Sequence, residues 1–451
     1  MFTQLASIAK NTFLEAVRQP IYFIIVMIAA AAVALTTATT AYSMDFSSSA
    51  EVSSDDKLLL DVSLATIFVC GVLLAAFLAT AVISREIDRK TVLTVVSKPV
   101  ARPTLVVGKY LGVAGAILIA QLIMTVFVLM AVRHEVLSTT ADELDGPVLA
   151  FGLGALALAM LAGTWCNFFY NWSFTQTTVL LMLPLMLAAY LGVLLVSKTW
   201  ELQPIGKDFK PQVTIACVCV LMAVLVLTAV ATAASARLGQ VMTLVICAGV
   251  FGLGMTSNYF FGRRAIQNDF VARVQEAAPR ALGQVALTTP GDTYDLRLEM
   301  EPRVPLRPGT SIYYGPNPSG HGLRVRAFER FEGDATLDAD VTNRQKPAAL
   351  VVRSSERRVL TIVRVGAEGV LVSRPPAPGD FVFTRPTEYS PLALGAWSLI
   401  PNVQSFWLID AVTQNQKIPP EHVVLVALYA LMQIGALLSL AVILFQTREV
   451  G

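Results

Sequence analysis

Eight stretches of this chain are apolar for long enough to cross a bilayer as helix, and short polar runs separate most of them. They are residues 21–42, 64–83, 110–131, 148–166, 178–196, 213–233, 241–261 and 423–445. The uncharged, aromatic linker 167–177 between the fourth and fifth has the character of an interfacial turn. Ahead of the first span, residues 2–18 place Phe2, Leu5, Ala9, Phe13 and Ala16 near helical spacing, with Gln4, Lys10, Asn11, Glu15 and Arg18 elsewhere and Pro20 at the end. That pattern predicts an amphipathic helix over 1–20 lying in the membrane interface.

From 262 to 394 the pattern changes. Prolines punctuate it (Pro302, Pro305, Pro308, Pro375, Pro376, Pro378), and short alternating runs replace the long apolar ones. Leu296, Leu298 and Met300 alternate with charged residues, as do Leu323 and Val325, then Leu337, Ala339 and Val341. Further runs lie at 348–353, 359–365, 369–373 and 380–383. The spacing predicts an antiparallel β domain, joined to the seventh span by a short helix over 266–276. Residues 395–418 carry Trp397, Leu399, Ile400, Phe406, Trp407 and Leu408, an interfacial belt leading to the last span and tail at 419–451. The expected fold is thus a polytopic α-helical membrane protein, with about eight transmembrane helices and an inserted β-rich domain.

Composition agrees. The chain is 55% hydrophobic and only 15% charged, against about 25% charged for a soluble domain. Its formal net charge of +2 offers nothing to nucleic acid. The five cysteines all fall in apolar segments, which excludes a disulfide framework. Lysine and arginine then set the orientation. With the N-terminus inside, Lys10, Arg18, Arg85, Arg89, Lys90, Lys98, Arg102, Lys109, Arg237 and Arg448 face the cytoplasm. Only Lys57, Arg133, Lys198, Lys207 and Lys210 occupy the short outer loops. Both termini are therefore expected inside, and the β domain outside the cytoplasm.

The candidate chemistry is concentrated at 84–109, SREIDRKTVLTVVSKPVARPTLVVGK, a charged, helix-prone island between the second and third spans. It is long enough to form a helical lever and a docking surface for a soluble partner; as a bare topology anchor it would do neither. No phosphate loop occurs: Gly315-Pro-Asn-Pro-Ser-Gly320 continues as His-Gly and lacks the lysine. There is no HExxH, no GxSxG and no Cys/His cluster, so neither an enzyme centre nor a metal site has candidate residues. The span interiors are nearly bare of ionisable side chains, which disfavours an ion-coupled carrier. Gln121 and Gln433 are expected to hydrogen-bond between helices. Gly112, Gly115, Gly249, Gly252 and Gly254 fit close helix packing.

Ser84-Arg85-Glu86-Ile87-Asp88-Arg89-Lys90, then Ser97-Lys98-Pro99-Val100-Ala101-Arg102, then Gly108-Lys109 opening the third span, resemble the permease subunits of exporter-like ABC transporters. The likeness is nearest to the group containing the nitrous-oxide-reductase maturation and gliding-motility permeases, and covers residues 1–261 and 395–451. It implies an ABC transporter permease of a bacterial inner membrane that works as a dimer with a second copy or a paralogue. The partner would be a pair of cytoplasmic ATPase subunits, which hold the ATP and magnesium, so this chain itself carries no cofactor. On that resemblance Ser84, Arg85, Glu86, Asp88, Arg89, Lys90, Lys98, Pro99 and Arg102 form the ATPase-coupling element. Permeases of this kind have six spans and short outer loops, so the two extra spans and the β domain depart from the pattern. The domain's expected use is contact with a periplasmic partner or with cargo. The competing class is a non-transporting membrane protein whose β domain binds a partner or senses the envelope.

Overall fold

The computed structural model describes residues 2–39, 48–88, 101–136, 144–280, 287–320, 323, 327–367, 374–413 and 418–446. Two compact units emerge, one formed by 1–255 with 401–451 and the other by 256–400.

The first unit is helical. α1 (Phe2–Val17) and α2 (Pro20–Thr39) are followed by α3 (Ser48–Asp88), α4 (Arg102–His134), α5 (Gly146–Tyr170) and α6 (Phe174–Leu195). Then come α7 (Pro211–Ser235) and α8 (Gln240–Ser257). α9 (Pro391–Leu399) closes the second unit, and α10 (Pro420–Gln446) belongs again to the first. Eight of these helices are long and apolar enough to span a bilayer, and they match the eight apolar stretches. Proline stands in the first turn of α2, α4, α5, α7 and α10, where its missing N–H costs nothing. The α5 helix is capped by Asp145, whose Oδ1 accepts from the Val148 amide at 3.1 Å, and ends on Asn171 in the left-handed region at φ 54°.

Packing follows the small residues. α3, α4 and α7 form the centre, and at Gly71 of α3 a Cβ would come within 2.9 Å of both Gln121 Oε1 and Val224. Part of the α1 stripe expected to meet lipid packs instead along α4, while Phe2 at its start stays exposed. Ile8 meets Gly108, Thr12 and the Ala9 carbonyl meet Gly112, and Phe13 meets Gly115. The two sets of positions rise together, so the helices run in the same direction. The reason is steric: glycines at 108, 112 and 115 leave a groove that a helix of modest side chains fills. Gln121 is a second departure. Its side chain is buried against Gly71 and Val224 and has no hydrogen-bond partner among the described residues. Gln433 donates to Tyr429 Oη on its own helix.

Residues 401–412 seat against the bundle rather than presenting a lipid-facing belt throughout. Val403 and Phe406 are buried, Gly254 lies against Val403 and the Pro401 carbonyl, and Asn402 N donates to Tyr429 Oη at 2.8 Å.

The second unit holds a six-stranded antiparallel sheet. Its strands are β2 (Phe270–Pro279), β3 (Thr293–Leu298), β4 (Tyr313–Gly315), β5 (Ala349–Glu356), β6 (Val359–Val365) and β7 (Phe381–Phe383), in the order β4-β7-β2-β3-β6-β5. β1 (Ile266–Gln267) and β8 (Glu388–Tyr389) pair separately. Alternation divides β5 and β6 between two apolar layers. Leu350, Val352, Leu360 and Ile362 face one, while Ala349, Val351, Val363 and Val365 face the other, beneath Phe331, Ala335 and Val341.

Three expectations fail here. Residues 266–276 form strands, not a linking helix. Ala272, Arg273, Gln275 and Glu276 are neutral-to-good helix formers, and register shifts within 270–272 and 274–276 interrupt the alternation that would have marked the strand. Leu337, Ala339 and Val341 do not form a strand: Asp338–Val341 is one short helical turn. Leu323 lies outside any strand, and the run at 369–373 lies outside the described residues.

Candidate functional site

The helix ends of the first unit collect into two polar groups, and the charged island belongs to one of them. α3 does not stop where its apolar stretch does. It continues as one helix through Ser84, Arg85, Glu86 and Asp88, to a length of 41 residues, or roughly 60 Å. The side chains of those four residues are not described, and Arg89, Lys90, Lys98 and Pro99 lie outside the described residues.

What holds the island's two stems is visible. Lys109, on the second turn of α4, is buried, and its Nζ donates to the Val82 carbonyl of α3 at 3.1 Å. A buried ammonium is tolerated only where its charge is met by such acceptors. Arg102, at the start of α4, donates through Nη1 to the Gln446 carbonyl at the end of α10 at 2.9 Å. Arg237, just after α7, donates through Nε to the Leu444 carbonyl at 3.2 Å. Beneath these bonds lies an apolar layer of Leu105, Val106, Ala233, Ala236, Ala441 and Phe445, with Ile8 of α1 against it. Basic side chains on the last carbonyls of a helix satisfy groups that have no partner within it and favour the dipole. Of the nine predicted coupling residues, Arg102 is thus the one whose side-chain contacts are defined. Arg237 entered the sequence reading only as an orientation charge, and Lys109 as that and as part of the Gly108-Lys109 pair opening the third span. The signal for Lys109 was its place inside an apolar period, one residue before the span's nominal start.

The opposite group of ends is built on Arg133, near the end of α4. Its Nη1 pairs with Asp145 Oδ2 at 2.9 Å and its Nε with Asp208 Oδ2 at 3.0 Å. Gln203 donates to the same Asp208 oxygen, and Lys198 pairs with Glu135 at 2.7 Å. One guanidinium therefore joins α4, the cap of α5 and the 196–210 connection. The signal missed was Asp145-Gly146-Pro147, an N-cap followed by an early proline.

Long apolar helices with clamped ends and a β unit define the class: a polytopic helical membrane protein carrying a β-rich domain. Residues 6–187, from α1 into α6 and across the island, match the family model described as ABC-2 family transporter protein. No curated protein and no solved structure matches the chain. The family match supports a transporter-permease role for the helical unit.

Proposed function

We propose that the chain is the membrane-spanning permease subunit of an ABC transporter in a bacterial inner membrane. Separate cytoplasmic ATPase subunits would supply the ATP hydrolysis, and a second copy or a paralogue would complete the permease. The observation that carries this reading is the ABC-2 match over 6–187, a stretch that includes the whole island. The continuity of α3 into Ser84–Asp88 supports a coupling role, because a partner pressing on the island would act on a transmembrane helix without an intervening joint. Closure of the ATPases would push on 84–102 and tilt α2, α3 and α6, where the two permeases would meet. The resemblance to nitrous-oxide-reductase maturation and gliding-motility permeases is the finer form of the proposal. With both termini inside, unit 256–400 would stand in the periplasm and meet a partner or cargo there.

The test is purification of the tagged chain from its native membrane. The expected result is an accompanying subunit with a GxxxxGK[ST] loop, and ATP hydrolysis after reconstitution. A chain that purifies alone, with no ATPase subunit and no hydrolysis, sinks the reading. Sidedness is checked separately: a cysteine at Ser319 should react with impermeant maleimide in spheroplasts, and one at Ser97 should not. The reverse pattern inverts the orientation and removes the island from the cytoplasm.

A further inference from the structure

At the break between α1 and α2, Arg18 faces the turn that joins α5 to α6. A cleft of about 730 Å³ lies there, lined by Arg18, Asn167, Asn171, Trp172, Ser173 and Gln176, among others, with no acidic side chain in its wall. Arg18 is held in place. Its Nε donates to Gln176 Oε1 at 2.7 Å, and its carbonyl accepts from Thr175 Oγ1 at 2.8 Å. Neither terminal nitrogen of the guanidinium has a partner among the described residues. The edge that makes two parallel hydrogen bonds to an oxyanion is therefore free and oriented. Asn167 is committed to the Trp172 carbonyl at 2.6 Å, which fixes the turn and leaves the Asn171 amide as a further donor.

The surroundings say where such an anion comes from. Trp165, Phe168, Phe169 and Tyr170 at the end of α5, and Trp172 in the turn, are 57–81% exposed. Trp165 and Phe169 have ring centroids 4.1 Å apart, and Tyr170 and Trp172 5.7 Å. Large exposed aromatics at the ends of spanning helices sit at headgroup depth. A basic pocket between spans at that depth is suited to an anionic headgroup. The volume falls within the range that small-molecule sites occupy, roughly 300–1,000 Å³. The geometry points to a phospholipid-phosphate site: the cleft takes the phosphate of an anionic lipid such as phosphatidylglycerol, with Arg18 as its anchor and the aromatic turn beside the acyl chains. The site needs no ATPase and stands or falls apart from the transport reading.

The experiment is native mass spectrometry of the purified full chain in detergent, titrated with phosphatidylglycerol, with phosphatidylcholine, and with inorganic phosphate alone. The wild type should retain phosphatidylglycerol in preference to phosphatidylcholine. Arg18→Gln should weaken that retention roughly five- to tenfold, the value of one basic residue at a membrane surface, and Arg18→Lys should weaken it less. Lys10→Gln, which removes an equal charge from the exposed face of α1, should leave it unchanged. Equal retention by Arg18→Gln and wild type overturns the site. An equal loss in Lys10→Gln overturns it in favour of general charge attraction. Displacement of the lipid by millimolar inorganic phosphate overturns the lipid assignment in favour of a free anion.

Discussion

Replacing Arg133 by Met tests whether one cation organises the second group of helix ends. Arg133 has a side-chain exposure of 9%, Asp145 of 0% and Asp208 of 22%. Met fills similar space, so the change removes charge and hydrogen bonds with little loss of packing. It leaves Asp145 buried and uncompensated and sets it near Asp208, a second carboxylate that shared the same guanidinium. Removing one partner of a buried pair costs about 3–5 kcal/mol. Asp145→Asn should cost less, about 1–2 kcal/mol, because Arg133 keeps Asp208 and the Asn can still cap α5. Asp208→Asn, at the most exposed position, should cost least. The sharper expectation is non-additivity: Arg133→Met with both carboxylates changed to Asn should be more stable than Arg133→Met alone, since no unpaired charge remains buried. Thermal unfolding of the detergent-solubilised chain, followed by size-exclusion fluorescence, gives the order. If Arg133→Met melts with the wild type, or the triple variant melts below the single one, the ion pairs are incidental and the reasoning fails.

Gly112→Val should pry α1 from α4, because its Cβ would lie 2.5 Å from Thr12 Cβ and 2.6 Å from the Ala9 carbonyl; about 1–3 kcal/mol of overpacking follows. A cysteine at the buried Ala16 should then react with maleimide, and continued protection would refute the seam. Glu86→Lys should dissociate or uncouple the ATPase with insertion unchanged, because a mispaired charge at a docked surface costs far more than one in water. Normal binding and transport in that variant would reduce the island to a topology anchor. Residues 262–394 expressed alone should be soluble and β-rich by circular dichroism, and an unfolded fragment would show that the sheet depends on the spans. In that fragment the Asp334 carboxyl is held below its usual range by the Thr336 hydroxyl and amide, and Asp340 by the Asp334 amide and Lys346. Depressed carboxylates contribute stability above the ordinary carboxylate range and lose it as pH falls through their lower folded values. The fragment should therefore weaken below about pH 4, and Asp340→Asn should flatten that slope.

The spans were legible because a bilayer imposes a length on any helix that crosses it, and 110–131 or 213–233 meet it without a single charged residue. β6 was legible for a different reason: Val359–Val365 is β-branched and short. β2 was hidden because its two register shifts break the two-residue period. The docking of α1 was hidden because glycine marks a groove without naming what fills it. At the candidate site the charged island could be read from composition, since so many charges between two spans are conspicuous. The tethers at its base could not: Lys109 reaches back to Val82, and Arg102 reaches Gln446, a residue at the far end of the chain. Contacts of that range leave no local pattern.

The continuity of α3 has a mechanical consequence. A tight contact with neighbouring helices, at Gly71, lies 17 residues from one end of the 41-residue helix and 23 from the other, so a rigid helix turning on that contact has arms of roughly 25 and 35 Å. A sideways push of about 5 Å at Asp88 would swing the far end by about 7 Å. α1 and α2 cannot act that way, because the chain between them is broken at Arg18 and Gln19. One helix would thus serve as the rocker arm of the bundle, magnifying a small stroke at the charged end, while its neighbours could bend to follow.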